Sequence, residues 1–74
     1  MRVNVKLFAT LRHDRGSEIL MNEDEDTTVR DIIDKLMIPE KEAAIIFLNG
    51  RSISVEHTLT ENDTVSIFPL VGGG

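Results

Sequence analysis

The chain has 74 residues, 41% of them hydrophobic and 28% charged, which is the composition of one small globular domain and not of a disordered segment. Thirteen acidic and eight basic residues give a formal charge of −5, which argues against a nucleic-acid partner and favours a protein partner with a basic docking surface. The sequence has no cysteine, which excludes a disulfide, a zinc-thiolate site and a nucleophilic thiol on this chain.

The N-terminal segment is predicted to form a β-hairpin. Val3, Val5 and Leu7 alternate with more polar residues, which indicates a strand over 2–9 with one buried face. A polar turn over 10–16 and a second strand over 18–21 complete the hairpin. Because charged residues interrupt the apolar ones from the start, we expect no signal peptide and no membrane span, and a cytoplasmic protein.

The middle of the chain predicts one short amphipathic helix. Thr28 is a good N-cap, and Asp31 can reach back to it in a capping box. The helix should end near Met37 because the next residue precedes Pro39. The acidic run over 23–26 is interpreted as a solvated loop whose charges favour the helix N-terminus. One apolar stripe is formed by Val29, Ile32, Ile33, Leu36 and Met37.

Three further strands follow the helix. They are predicted over 44–48, 51–53 and 65–68, with a tight turn at Asn49-Gly50 and Leu59 as an anchor between the last two. The element order predicts an α+β fold in which one helix packs on one face of a mixed four- to five-stranded sheet. We expect a single domain over 1–71 and a flexible C-terminal glycine tail over 72–74.

The last three residues, Gly72, Gly73 and Gly74, form a tail without side chains. Such a segment can lie extended in a channel too narrow for a Cβ atom. From Val71 to Gly74 it would reach at most about 14 Å, at roughly 3.5 Å per residue. This is enough to carry the terminal carboxylate into the active site of a partner. The alternative is a frayed terminus without a role.

The whole chain resembles the ubiquitin-like β-grasp sulfur carriers of the MoaD/ThiS family, and the MoaD side more than the ThiS side. The resemblance rests on the element order, the segment over 6–12 (KLFATLR), which is similar to the first-strand motif of the family, the turn over 48–51 (LNGR) and the ending over 62–74 (NDTVSIFPLVGGG). Leu70 stands where many MoaD proteins have a second proline, and Gly72 where they have serine. The Val-Gly-Gly-Gly ending is common among ThiS-like carriers, so the pathway stays open.

The resemblance implies a protein cosubstrate that is not an enzyme by itself and binds no cofactor. An E1-like enzyme (MoeB/ThiF-like) would use ATP and Mg²⁺ to adenylate the Gly74 carboxylate. A persulfide would then supply sulfur for a thiocarboxylate. The acceptor would be a MoaE-like large subunit, with this chain as the small subunit of a molybdopterin-synthase-like complex, or thiazole synthase. Two alternatives remain, namely a protein modifier that forms isopeptide bonds through Gly74 and a binding module whose tail does not react.

Residues next to the tail are the candidate partner contacts. By strand alternation Phe68 faces away from the core, so it is either a docking anchor or a residue partly covered by the sheet edge or by Phe8. Leu70 and Val71 are predicted to serve an interface more than the core. The lone histidines His13 and His57 lack ligand spacing, so no metal site is predicted, and Arg12 and Arg51 are expected to be solvated.

Overall fold

The computed structural model describes residues 1–70, so the predicted domain boundary at residue 71 and the predicted tail over 72–74 lie outside the described residues. The described part is α+β, as predicted. Its strands are β1 (Arg2–Leu7), β2 (Glu18–Asn22), β3 (Ile45–Leu48), β4 (Arg51–Ser52) and β5 (Asp63–Phe68), and its one α-helix is α1 (Val29–Lys35).

The five strands form one mixed sheet in the order β2-β1-β5-β3-β4. The parallel pair is β1 with β5, in a register that places Leu7 opposite Ile67. The other pairs are antiparallel, including the predicted β1–β2 hairpin. The central strand is therefore β5, the last one, and the chain leaves the sheet from its middle.

One face of the sheet is covered by α1, and the core lies between them. The inward side chains of β1 are fully buried, because the period-2 alternation turns every second residue toward the helix. Leu59 is 2% exposed, which confirms the predicted anchor. The opposite face of the sheet is called the open face below. The core consists of Val3, Val5, Leu7, Leu11, Val29, Ile32, Ile33, Ile38, Ala43, Ile46, Leu48, Leu59, Val65 and Ile67.

The start of α1 follows the sequence prediction. The Thr28 hydroxyl accepts from the Asp31 backbone N–H at 3.3 Å, and the Asp31 carboxylate accepts from the Thr28 N–H at 2.9 Å. The predicted end of the apolar stripe is wrong. Leu36 is already the C-cap, and Met37 adopts a left-handed φ of 58° and is 82% exposed. The reversal of the backbone directs this side chain away from the core.

The first strand is shorter than predicted. It ends at Leu7, and a 3-10 turn over Ala9–Arg12 replaces the last predicted strand residues. Ala9 has φ of 54°, a left-handed conformation that breaks the strand. The turn buries Leu11 in the core, which the polar interpretation of 10–16 missed.

The acidic run over 23–26 is only partly the solvated loop that was predicted. The side chain of Glu23 is 3% exposed and accepts a hydrogen bond from the Lys35 ammonium. This pairing raises the pKa of Lys35 above its ordinary value. Asp24 is exposed, and its backbone carbonyl accepts from the Thr27 hydroxyl at 2.7 Å.

The predicted turn between β3 and β4 is present, with left-handed φ values of 51° at Asn49 and 87° at Gly50. The strands that it joins are shorter than predicted, because Ala44 and Ile53 lie outside them. The Asn49 side chain also reaches the start of β5, where it donates to the Asp63 carboxylate at 3.0 Å and accepts from the Thr64 N–H at 2.9 Å. This turn therefore fixes the entry into the central strand.

Of the helices within residues 1–70, none combines the length and the apolar character needed to cross a membrane.

Candidate functional site

The candidate site is the C-terminal end of β5. The strand ends at Phe68, Pro69 is buried, and Leu70 is 78% exposed. The exposure of Leu70 agrees with the expectation that it does not belong to the core. The remaining site residues of the sequence prediction are Val71, Gly72, Gly73 and Gly74, and they lie outside the described residues.

Three phenylalanines gather on the open face at this end of the sheet. The rings of Phe8 and Phe68 stack with their centroids 4.1 Å apart and their planes within 10°. Phe47 contacts Phe68 edge to face, at a centroid distance of 5.8 Å and an angle of 83°. Ile45 pairs with Phe68 across the ladder and is 43% exposed. We call Phe8, Ile45, Phe47 and Phe68 the aromatic surface.

Phe68 is packed between two other rings and still lies on the open face. Its ring is half-buried, because Phe8 covers one side and Phe47 touches another. The side chain nevertheless remains on the face that α1 does not cover. A packed yet accessible aromatic ring is rigid, so it can bind a partner at little cost in conformational entropy.

Arg12 lies at the border of the aromatic surface and has a fixed orientation. Its guanidinium carbon is 5.6 Å from the centroid of the Phe8 ring, a cation–π distance. Its Nε donates to the Leu7 carbonyl at 3.0 Å. The predicted solvated charge is thus exposed but held in place, which the sequence did not reveal because the 3-10 turn that positions it was not predicted. Arg51 is exposed on β4, as expected.

Charge is divided between the two sides of the domain. Arg30 donates to Glu40 and to Glu56 at 2.8 Å each, and these hydrogen bonds raise its pKa. On the open face, by contrast, β1 presents Arg2 and Lys6. Glu40 and Glu56 thus surround Arg30 on the helix side, and the basic partner surface expected from the net charge stays a prediction. A partner on the aromatic surface would meet basic residues.

The two histidines occupy different loops. His13 follows the 3-10 turn, where its Nε2 lies 3.6 Å from the carboxylate of Asp14. His57 lies between β4 and β5, and its N–H donates to the Ser54 carbonyl at 3.3 Å. In the part of the chain that the structure describes, no cluster of three His, Asp or Glu side chains could hold a metal ion.

A five-stranded mixed sheet with one covering helix, whose last and central strand ends at the aromatic surface, defines the class of ubiquitin-like β-grasp proteins. Comparison with family models narrows this class. The model of the ThiS family matches residues 5–74, and the chain belongs to that family. The resemblance to the MoaD/ThiS carriers is thereby confirmed. A sequence search of the curated proteins found no match.

Solved structures share the fold over the full length. A molybdopterin converting factor subunit 1 from Pyrococcus furiosus is 29% identical, with a TM-score of 0.76 over 96% of this chain and 99% of that one. Small archaeal modifier protein 1 (SAMP1) from Haloferax volcanii is 21% identical, with a TM-score of 0.80 over 100% of both chains. A complex of subunits 1 and 2 of the molybdopterin-converting factor from Helicobacter pylori matches at 22% identity and a TM-score of 0.67, with 100% of both chains covered.

Proposed function

We propose that this chain carries sulfur on its C-terminal carboxylate for the synthesis of molybdopterin, the pterin of the molybdenum or tungsten cofactor. The observation that carries the proposal is the end of β5, where the chain leaves the sheet at an exposed Leu70 beside the aromatic surface. Four residues follow, and the last three are glycines. The similarity to a molybdopterin converting factor subunit supports the choice of pathway.

The chemistry begins with activation, because a carboxylate is a poor electrophile. An oxygen of the Gly74 carboxylate attacks the α-phosphate of ATP in an E1-like (MoeB/ThiF-like) enzyme, and pyrophosphate leaves. Mg²⁺ in that enzyme neutralises the phosphates. The product is an acyl-adenylate, a mixed anhydride that a sulfur nucleophile can attack.

Sulfur transfer follows in two steps. The terminal sulfur of a persulfide attacks the acyl carbon of Gly74, and AMP leaves with the electron pair of the cleaved C–O bond. A thiol then attacks the resulting acyl disulfide, which releases the thiocarboxylate and forms an ordinary disulfide. Gly72 and Gly73 contribute access, since neither has a Cβ atom to obstruct a narrow channel.

The aromatic surface is the proposed docking site for the E1-like enzyme and for the protein that accepts the sulfur. Phe68 and its neighbours supply rigid apolar area, while Arg12 and Lys6 favour a partner surface with carboxylates. The Helicobacter pylori relative forms a complex with subunit 2, so we propose a MoaE-like large subunit as the sulfur acceptor here. In that complex this chain is a cosubstrate and supplies no catalytic side chain.

Two alternative functions begin with the same adenylation of Gly74. The name of the SAMP1 relative favours a protein modifier that transfers Gly74 to a lysine of a target. The name of the family, together with the Val-Gly-Gly-Gly ending, favours a sulfur donor to a thiazole synthase. Conjugates that survive reducing denaturation would mark the modifier, and sulfur transfer to a thiazole product would mark the second alternative.

The proposal is tested by pyrophosphate release in the presence of the E1-like enzyme of the same host and ATP. The test variants are a deletion of Gly73 and Gly74 and an extension by one alanine after Gly74. Both should fold like the wild type in circular dichroism and release no pyrophosphate. Met37→Ala, which changes an 82% exposed residue outside the site, is the matched control and should react normally. Normal turnover with the extended tail would refute the proposal.

A further inference from the structure

The outer edge of β2 has backbone groups that nothing in residues 1–70 pairs. β2 is the terminal strand of the sheet, with β1 as its one neighbour. The Leu7 N–H donates to the Ser17 carbonyl at 2.9 Å, and the Glu23 N–H donates to the Met1 carbonyl at 2.7 Å. In an antiparallel ladder the paired residues alternate. The N–H and C=O groups of Glu18, Leu20 and Asn22 therefore point outward.

This edge has little of the protection that edge strands usually have. Natural sheets protect such edges with bulges, prolines, inward-pointing charges or a covering segment. β2 is regular over its five residues, and Leu20 at its centre is 63% exposed on the open face. Glu18 is the one charge on the strand, and it lies at one end.

We propose that β2 pairs antiparallel with β2 of a second copy of this chain, about a twofold axis at Leu20, to form a continuous ten-stranded sheet. Leu20 then lies opposite Leu20 of the second copy, and Glu18 opposite Asn22 of that copy. All outward N–H and C=O groups of Glu18, Leu20 and Asn22 are then paired, because each of the three residue pairs across the axis exchanges two backbone hydrogen bonds. A shift by two residues in either direction leaves some of these groups unpaired.

The side chains suit this register on both faces. On the open face the two leucines meet at the axis, flanked by two pairs of Glu18 with Asn22. One oxygen of the Glu18 carboxylate accepts from the Asn4 amide at 2.7 Å, so the other is available for the Asn22 amide of the second copy. On the helix side, half-buried Ile19 lies opposite Met21 of the second copy. The register brings no like charges together, which favours a second copy over an unrelated peptide.

The proposed dimer is compatible with the proposed function but does not depend on it. β2 lies at the sheet edge beyond β1, whereas the tail leaves from β5 in the centre. The end of β5 and the aromatic surface of each copy therefore stay uncovered. A contact of five residues on each chain is small, so the association should be weak and dependent on concentration.

Leu20→Pro tests the pairing without breaking the monomer. The backbone N–H of Leu20 points outward, so proline removes a hydrogen-bond donor that only the dimer uses. An edge strand tolerates proline at such a position. Leu20→Val retains the donor and is the matched control. Sedimentation equilibrium from about 10 µM to about 1 mM covers weak association. We expect the wild type and Leu20→Val to dimerise, and Leu20→Pro to stay monomeric with an unchanged circular dichroism spectrum.

Charge variants at Asn22 provide a second test with a predicted direction. Asn22→Glu places like charges opposite Glu18 twice in the dimer and should weaken it by about two- to thirtyfold, whereas Asn22→Lys should tighten it by a similar factor. Amide NMR shifts that depend on concentration should be largest at Glu18, Leu20 and Asn22. A wild type that is monomeric throughout, or a dimer that is insensitive to Leu20→Pro and to both Asn22 variants, would overturn the proposal.

Discussion

The ring of Phe8 stacks on the ring of Phe68 at a centroid distance of 4.1 Å and joins the chain just after β1 to the last residue of β5. The parallel register brings them together, since Leu7 and Ile67 are opposite each other one residue earlier. The Phe8 N–H also donates to the Ile67 carbonyl at 3.3 Å. The end of the central strand is thus held by a backbone hydrogen bond and by a stacked ring.

A double-mutant cycle should detect this contact. We expect Phe8→Leu and Phe68→Leu to be coupled by about 0.5–1.5 kcal/mol in the free energy of unfolding, because the aromatic pair contributes beyond its buried area. Urea unfolding of the wild type, both single variants and the double variant gives the coupling. Simple additivity of the two single effects would contradict a direct contribution of the stack.

Phe68→Ala should weaken docking to the adenylating enzyme. Truncation removes the centre of the aromatic surface, and a loss above about 1 kcal/mol corresponds to a KM raised about fivefold or more. Pyrophosphate release at varied carrier concentration measures this effect, with circular dichroism as the check on folding. Met37→Ala should leave KM unchanged, as it alters an exposed residue after α1. An unchanged KM for Phe68→Ala would remove Phe68 from the docking site.

Asp63 should make the domain sensitive to acid. Its burial alone would raise the pKa, but hydrogen bonds from the Thr60 N–H at 2.8 Å, the Asn49 amide and the Thr60 hydroxyl together lower the pKa below the ordinary 3.8. A carboxyl whose folded-state pKa is lowered stabilises the fold above its unfolded-state pKa, and this contribution is lost as the pH falls through the folded-state pKa. Stability should therefore decline from near pH 4 downward.

Asp63→Asn tests this assignment. The amide puts a donor against the donors of Thr60 or Asn49, so we expect a loss of about 1–3 kcal/mol at pH 7 and a flatter decline below pH 4. Asp34→Asn, at an exposed position, is the control and should retain the acid decline of the wild type. The two variants are compared by urea unfolding between pH 7 and pH 3. An acid decline as steep in Asp63→Asn as in the wild type would assign the effect to other carboxyls.

Two substitutions on the predicted helix stripe should have opposite outcomes. Ile33 is 2% exposed, so Ile33→Asp buries an unpaired charge and should unfold the domain. Met37 is 82% exposed, so Met37→Asp should change the free energy of unfolding by no more than about 0.5 kcal/mol. Thermal unfolding followed by circular dichroism compares them. A folded Ile33→Asp variant would contradict the position of α1 against the sheet.

Local patterns predicted most of the fold. The alternation of Val3, Val5 and Leu7, the capping box of Thr28 and the Asn49-Gly50 turn each act over a few residues, so the sequence displays their physical cause directly. The features that the sequence does not predict depend on positive φ values or on partners distant in the chain. Neither the left-handed φ at Ala9 nor that at Met37 follows from apolar spacing.

The candidate site was predictable in part. Phe68 and Leu70 are predictable as site residues because they precede the glycines, and strand alternation correctly places Phe68 on the open face. The fixed orientation of Arg12 over Phe8 could not be foreseen, because it needs the 3-10 turn. Glu23 is buried because it pairs with Lys35, 12 residues further along the chain, and a run of four acidic residues gives no sign of that partner.

The central claim concerns the chemical state of the Gly74 carboxylate. Intact mass spectrometry of the protein purified from its native host, without reductive or alkylating treatment, tests it most directly. A carrier should show a fraction whose mass has increased by the exchange of one oxygen for sulfur. Alkylation of a second portion of the sample should shift that fraction alone, since the chain has no cysteine. The unmodified mass alone, in cells that are actively making the pterin cofactor, would contradict the account.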